Sequence, residues 1–162
     1  MDNSPIIIEL LGPPRGKGRP RFRIIGKGRS QFVSTYTDAE TRKYEERLKG
    51  EATLKMLGNP VLDCALSVRI EAHMPIPQSW SKKNTEAAIG GRLMPTAKPD
   101  SDNIVKMLDA LNKVVWKDDS QIVSLFVLKR YSDSPKLKIV VWKWFDVETL
   151  AVDDGPLFNT MR

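Results

Sequence analysis

Residues 61–73 alternate clearly between apolar and polar side chains. The even-numbered positions Leu66, Val68 and Ile70 are apolar, whereas the odd-numbered positions Arg69 and Glu71 are charged. Successive side chains of a strand point to opposite faces of its sheet, so this pattern predicts a long strand with one buried face and one polar face. The apolar face of such a strand must be covered by other elements of the same domain.

The remaining patterns complete an α+β fold. Asp38 can act as the N-cap of a helix that runs from Ala39 towards Leu57, and a second main helix follows Asp100. Further strands are predicted over residues 5–11, 122–131 and 136–144, with a loose, glycine-punctuated hairpin over residues 22–36. We therefore expect a mixed β-sheet of about four or five strands with two main helices packed on it. Residues 1–145 form a single domain in this interpretation, and residues 146–162 form an acidic C-terminal tail.

The composition is typical of one soluble domain. With 162 residues, 41% apolar side chains and a mean hydropathy of −0.34, the chain can bury one good core. No apolar run approaches the length of a membrane span and no secretory signal is recognised, so we expect a cytoplasmic protein without a membrane partner. Cys64, the sole cysteine, lies in an apolar alternation and is predicted to be a buried structural thiol. With His73 as the sole histidine, zinc ligation is disfavoured.

An acidic segment lies where a loop turns into the second helix. Pro99 disfavours helix before it, and Asp100 can cap a helix whose apolar positions recur at three- and four-residue steps as far as Leu111. Asp102 lies one helical turn before Lys106, so a carboxylate and an ammonium can reach the same volume. A second acidic pair, Asp118–Asp119, precedes the strand predicted over residues 122–131.

These carboxylates fit a magnesium site beside a polyanion. Mg²⁺ prefers oxygen ligands and takes one or two carboxylates while it keeps waters and phosphate oxygens, and Mn²⁺ is a possible substitute. Adjacent strand residues face opposite ways, so we rank Asp119 above Asp118 as a ligand. Glu71 could add a carboxylate or orient a metal-bound water if its strand face borders the site. A metal held in this way activates water for phosphodiester hydrolysis, and Lys106 can neutralise charge in the transition state.

Each of these features also has a purely structural interpretation. Aspartate is common at helix starts because it caps them, and Asp102 with Lys106 is an ordinary ion pair on a helix surface. Asp118–Asp119 could be only a turn before a strand. The clustering of four aspartates and a lysine in a chain of net charge +6 favours the functional interpretation over these alternatives.

Residues 13–30 carry seven basic residues and no acidic one, interrupted by glycines. Such a segment can follow a phosphate backbone closely, and its binding should weaken steeply with salt. The alternative is a solvated, mobile loop, although like charges without acidic partners repel one another unless an anion is present. Together with lysines near residues 82 and 98, the predicted DNA-binding residues are Arg15, Lys17, Arg19, Arg21, Arg23, Lys82, Lys83 and Lys98.

Two further segments carry aromatic side chains whose role is open. Phe22, Phe32 and Tyr36 lie in the basic hairpin, where they could stack on unpaired bases or form its core. Residues 75–97 are bounded by prolines and read as an excursion inserted between the long strand and the acidic helix, either a lid or a DNA contact. Within it, Trp80 could be a wedge or the core of the excursion itself.

Residues 98–123 read KPDSDNIVKMLDALNKVVWKDDSQIV. This string resembles the signature of the RusA family of Holliday-junction resolvases: D-x-D-N, a lysine four residues on, D-A-L-N and D-D-x-Q. The K-G-R-P-R element of that family resembles residues 17–21, and residues 74–83 resemble a segment of many phage and prophage members.

The resemblance implies a homodimeric, metal-dependent endonuclease that cuts four-way DNA junctions during recombination and repair. By position, the essential carboxylates of the family fall on Asp100, Asp102 and Asp119, and its essential lysine falls on Lys106. Asp118 is a further candidate metal ligand. Two other functions stay open from the residues: a non-catalytic DNA-binding module, and a metal nuclease that cuts flaps or branched DNA without junction selectivity.

Overall fold

The computed structural model describes residues 4–19 and 21–144. Within them it has three helices and six strands: α1 Ala39–Lys55, α2 Lys82–Ile89 and α3 Ser101–Val105, with β1 Ile6–Leu11, β2 Arg21–Ile25, β3 Phe32–Tyr36, β4 Leu66–Pro75, β5 Ile122–Ser132 and β6 Lys136–Lys143. The predicted acidic tail at residues 146–162 lies outside the described residues. The α+β class predicted from the sequence is confirmed.

Four strands form one mixed sheet in the order β1-β6-β4-β5. β4 and β5 run parallel, and β6 pairs antiparallel with both β4 and β1. Two parallel neighbours need a long crossover connection, and here α2 and α3 lie within it. The strands β2 and β3 form a separate two-stranded hairpin, as the glycine-punctuated pattern predicted.

One face of the sheet carries the hydrophobic core. The even-numbered residues of β4 are buried there, and they pack in one cluster with side chains from α1, α3 and the 3₁₀ segment Lys106–Leu111. The odd-numbered residues of β4 therefore point to the opposite face, as the alternation predicted. Asp38 caps α1 through a hydrogen bond of 3.0 Å from the Thr41 amide, which confirms the predicted start of that helix.

The acidic helix is shorter than predicted. The prediction of a single α-helix that ends near residue 112 is wrong, because α3 has five residues and passes directly into the 3₁₀ segment Lys106–Leu111. A 3₁₀ helix has about three residues per turn, so Leu108 and Leu111 lie one above the other and both reach the core.

Cys64 is exposed, so the prediction of a buried thiol is wrong. The regular strand begins only at Leu66, and the preceding residues form an irregular lead-in whose carbonyls bond to distant elements. The carbonyl of Cys64 accepts a hydrogen bond from the Gln121 side chain, and that of Ala65 accepts one from the Trp144 amide. The apolar alternation therefore does not extend to Cys64.

The excursion at residues 75–97 contains α2, which Ser81 caps through the Asn84 amide. The Trp80 ring meets Tyr131 of β5 edge to face at 5.0 Å, so Trp80 packs on the sheet rather than within the excursion. Lys129 of β5 also donates a hydrogen bond to the Ala97 carbonyl at 2.7 Å. These contacts fix both ends of the excursion to β5.

Candidate active site

Asp100 and Asp102 lie at the exposed mouth of α3. Asp100 occupies the N-cap position, but its side chain makes no capping hydrogen bond to the helix amides. Helix capping, the structural alternative for this residue, therefore does not describe what its side chain does. Asp102 is in the first turn, where the helix dipole favours a negative charge.

Lys106 bridges the polar residues of this helix mouth. Its Nζ lies 3.0 Å from Oδ2 of Asp102 and 3.1 Å from Oδ1 of Asn103. The hydrogen bond from Lys106 holds the pKa of Asp102 below its ordinary value. Both side chains of the pair are more than half exposed, so the ion pair itself contributes little to folding stability. The pair instead presents an ionised carboxylate and an ammonium together to solvent.

The second acidic pair lies in a 3₁₀ turn, Asp119–Gln121, directly before β5. The Asp118 carboxylate accepts a hydrogen bond from the Ser120 amide at 3.0 Å, while the Gln121 side chain accepts one from the Asp118 amide. The hydrogen bond from Ser120 lowers the pKa of the Asp118 carboxyl. Asp118 thus serves as a cap, and the exposed Asp119 beside it takes no part in this capping box.

Gln121, the last residue of the D-D-x-Q element, has a structural role that was not assigned from the sequence. Its side-chain amide donates to the carbonyls of Leu62 and Cys64, and its oxygen accepts from the Lys117 amide at 2.8 Å. These bonds tie the acidic turn to the lead-in of β4. An aspartate followed three residues later by glutamine is a known capping signature, and this spacing could have identified its role.

The described residues contain no group of three or more His, Cys, Asp or Glu side chains arranged to hold a metal ion. The structure therefore does not gather Asp100, Asp102 and Asp119 into one closed set of ligands. Mg²⁺ does not require such a set, because it commonly binds one or two carboxylates and completes its shell with waters and phosphate oxygens. The exposed carboxylates at the mouth of α3 fit that kind of site.

The basic segment lies directly on the acidic helix. The Lys17 amide donates a hydrogen bond of 2.7 Å to the Asn103 carbonyl. Gly16 makes this approach possible: a Cβ atom there would lie 2.8 Å from Cβ of Asn103 and 3.0 Å from Cβ of Pro99. Only glycine fits without displacing one of the two backbones. The sequence showed the glycines but not their partners.

Lys17, one of the predicted DNA contacts, has protein partners that the sequence did not reveal. Its ammonium lies 2.9 Å from the Asp109 carboxylate and 3.1 Å from that of Glu45. Burial alone would lower the pKa of Lys17, but the hydrogen bonds that its ammonium donates to these two carboxylates outweigh burial and raise the pKa. Lys17 therefore anchors the basic segment to the protein. No local pattern in the sequence pairs it with such distant carboxylates.

The other predicted basic residues are all exposed. Arg15 makes a surface ion pair with Glu40 at 3.5 Å, and the Arg23 guanidinium lies over the Tyr36 ring at 5.6 Å. The exposed positions, which leave their charged groups accessible to an anion, are Arg15, Arg19, Arg21, Arg23, Lys82, Lys83 and Lys98.

Glu71 does not border the acidic helix, so that prediction is wrong. It is an odd-numbered residue of β4, whereas α3 packs against the face that carries the even-numbered residues. On its own face Glu71 pairs with Arg69 at 2.8 Å and with His73 at 3.2 Å. Its carboxylate is engaged in this network on the far side of the sheet.

Two comparisons with known proteins bear on this site. A family model described as endodeoxyribonuclease RusA matches residues 12–142. The uncharacterized protein YqaN of Bacillus subtilis (strain 168) is 35% identical over 135 residues, covering 82% of this chain and 92% of the relative.

The matched range includes the basic segment, the acidic helix and the acidic turn. In the described part of the chain, no helix is both long and apolar enough to span a membrane. Endodeoxyribonucleases are hydrolases that cut DNA strands internally, which agrees with the exposed carboxylates and basic residues brought together here. The chain belongs to the RusA endodeoxyribonuclease family.

Proposed function

We propose that this protein resolves four-way DNA junctions by Mg²⁺-dependent phosphodiester hydrolysis. The observation that supports the proposal is the hydrogen bond between Lys17 and Asn103, because it joins the basic segment, which we propose binds DNA, to the helix that bears the carboxylates. A phosphate bound by the basic segment then lies close to the exposed mouth of α3.

We assign the metal to Asp100 and Asp102 at the mouth of α3, and Asp119, the third essential carboxylate by position in the RusA signature, acts from the acidic turn. Asp100 is not used as a helix cap, and Asp119 stands outside the capping box that occupies its neighbour Asp118. When bound, Mg²⁺ would lower the pKa of a water and stabilise the leaving oxygen, and Mn²⁺ could replace it.

The protein's own residues have separate tasks. Lys106 keeps Asp102 ionised through its hydrogen bond and offers an ammonium that can neutralise charge on the attacked phosphate. The exposed arginines of the basic segment bind the phosphate backbone and set its position relative to α3. Gln121 and Asp118 hold the turn from which Asp119 projects.

A homodimer suits this substrate. A four-way junction presents two equivalent strands for cutting, and a two-fold dimer presents two identical sites to them. The basic segments of both subunits would together form one broad positive surface. The proposed activity therefore predicts paired nicks at symmetric positions of one junction.

The experiment compares cleavage of a synthetic four-way junction with cleavage of duplex, flap and single-stranded DNA of matched sequence, with Mg²⁺ and with a chelator. Selective, Mg²⁺-dependent cutting of the junction is expected. Asp102→Asn, Asp119→Asn and Lys106→Met should each keep junction binding while cleavage falls by about a hundredfold or more. Asp133→Asn, at the exposed turn between β5 and β6, is the matched control and should cut normally.

Equal cutting of all DNA forms would show that the protein is a nuclease without selectivity for junctions. Near-normal cleavage by both Asp102→Asn and Asp119→Asn would remove the catalytic assignment. Absence of metal binding and of cleavage by the wild-type protein would favour a DNA-binding module without catalysis.

A further inference from the structure

The β2–β3 hairpin has two chemically different faces. Opposite residues of an antiparallel pair share a face, and the register pairs Phe22 with Thr35 and Ile24 with Val33. The other face carries the pairs Arg21 with Tyr36, Arg23 with Ser34 and Ile25 with Phe32. One face is therefore mainly apolar, and the other carries arginines and aromatic rings.

The apolar face is open to solvent. Phe22, Ile24 and Val33 are 68%, 70% and 65% exposed, respectively, and none of them belongs to the core cluster on the sheet. An isolated two-stranded hairpin is at best marginally stable in water. A cluster of three large apolar side chains on such an element is the kind of surface that a binding partner covers.

The charge around the hairpin selects the chemistry of that partner. Residues 13–37 contain no Asp or Glu, so an identical hairpin from a second copy would bring like charges together. Nucleic acid with unstacked bases complements both faces of the hairpin. Its anionic phosphates can pair with the arginines, and its flat apolar rings can pack on Phe22 and Ile24. Intact duplex DNA offers only the first, because its base faces are stacked inside.

The root of the hairpin is fixed beside the candidate active site. The residues just before β2 are anchored through Lys17 to Asn103, and Gly18 lies where a Cβ atom would be 3.0 Å from Oδ2 of Asp38. The hairpin therefore begins only a few residues after the contact with the acidic helix. DNA bound at the carboxylates of α3 would then lie within reach of the hairpin.

We propose that the apolar face formed by Phe22, Ile24 and Val33 packs against unstacked bases at the branch point of the DNA, and so makes the protein selective for branched DNA. The arginines of the opposite face hold the adjoining phosphates. This inference rests on the proposed function and adds the surface that recognises the branch. Arginine contacts alone give binding to every DNA form, whereas contacts to base faces require bases that have left the stack.

The test measures equilibrium binding without divalent cation, so that no DNA is cut. The double variant Phe22→Ala/Ile24→Ala should bind a four-way junction roughly tenfold more weakly, or worse, and bind duplex of the same sequence within about twofold of wild type. The wild-type protein should raise the fluorescence of 2-aminopurine placed at the branch point, and the double variant should not. Leu54→Ala on α1, another exposed apolar position, is the matched control and should change neither measurement.

Folding of the double variant is checked by thermal unfolding, where Tm should be unchanged because the hairpin contributes no residue to the core cluster. Unchanged junction affinity and unchanged 2-aminopurine response in a folded double variant would overturn the inference. Conversion of a wild-type dimer to a monomer by the same substitutions, seen by light scattering, would also overturn it, since the face would then bind a second copy. Neither result contradicts the proposed function. That function is contradicted if the wild-type protein does not select or cut junctions.

Discussion

The backbone amide of Lys17 donates a hydrogen bond of 2.7 Å to the carbonyl oxygen of Asn103, the residue that follows Asp102. Through this bond the basic segment and the acidic helix form a single surface. A positive segment alone would bind DNA without cutting it, and carboxylates alone would repel it. The backbone contact between the basic segment and the acidic helix is what makes hydrolysis of a bound phosphodiester physically reasonable at this position.

The close approach at Gly16 leads to the first prediction. Gly16→Ala places a Cβ atom 2.8 Å from Cβ of Asn103, so the basic segment must move away from α3. A displacement of about 1 Å between bound substrate and catalytic groups can reduce a rate by about a hundredfold. We therefore expect junction cleavage to fall by about tenfold or more, while binding changes much less.

Gly50→Ala is the control for this substitution. Gly50 lies within α1, and a Cβ atom there would meet nothing within 4 Å. Alanine should stabilise the helix by about 0.5–1 kcal/mol and leave cleavage unchanged. Equal cleavage rates for Gly16→Ala and wild type, measured in single-turnover reactions, would show that the contact with Asn103 does not position the DNA.

The second prediction separates the two adjacent aspartates of the acidic turn. Asp118→Ala removes the cap on the Ser120 amide and should lower the free energy of unfolding, because that amide loses its partner. Asp118→Ser, which keeps a capping oxygen, should recover most of that loss. Asp119→Ala should change stability by less than about 0.5 kcal/mol and abolish cleavage, because Asp119 is exposed and outside the capping box.

Urea unfolding and junction cleavage, measured on the same preparations, check this division of roles. If Asp118→Ala loses cleavage as completely as Asp119→Ala while its stability is unchanged, Asp118 is a catalytic residue and its cap is incidental. The two measurements therefore distinguish a structural carboxylate from a functional one at neighbouring positions.

The sequence predicted those parts of the fold that depend on local patterns. The alternation before His73 identified the central strand and its buried face, and Asp38 marked the start of α1 because capping is a property of a few adjacent residues. The sequence correctly placed the start of the acidic helix at Asp100. It did not predict the early change to 3₁₀ winding at Lys106, because local propensity does not reveal such a change.

The sequence could not predict the features that depend on contacts between distant parts of the chain. Lys17 was taken as a DNA contact because the basic segment has no acidic neighbour, yet Asp109 and Glu45 meet it in space. Glu71 was given a role beside the acidic helix because the sequence cannot say which face of β4 that helix covers. Cys64 was expected to be buried because the alternation around it continues beyond the strand itself.

The third prediction concerns the acid dependence of folding stability. Burial alone would raise the pKa of Glu71, but the hydrogen bond from His73 and the charge of Arg69 outweigh it and hold the pKa below its ordinary value of 4.5. A lowered carboxyl pKa contributes stability that is fully present above the unfolded pKa and is lost as the pH falls through the folded value. Glu71 therefore contributes to a loss of stability below about pH 4.5.

Glu71→Gln removes that titration while it keeps the side-chain volume. The variant should be less stable than wild type at neutral pH, because Arg69 loses its partner. Its free energy of unfolding should also fall less steeply between about pH 5 and pH 3, measured by urea titration at each pH. Identical slopes for the two proteins would show that Glu71 has the same pKa in the folded and unfolded states.

The fourth prediction uses salt dependence to identify the residues that bind phosphate. Each neutralised phosphate of duplex DNA contributes about −0.9 to the slope of log affinity against log salt. Arg19→Ala with Arg21→Ala should therefore flatten the slope by about two and weaken binding of duplex and junction alike. Lys17→Met is the comparison. The Lys17 ammonium is held by Asp109 and Glu45, so its removal should leave the salt slope unchanged. A slope that flattens for Lys17→Met but not for the arginine pair would reverse the roles assigned to the anchor and to the DNA-binding residues.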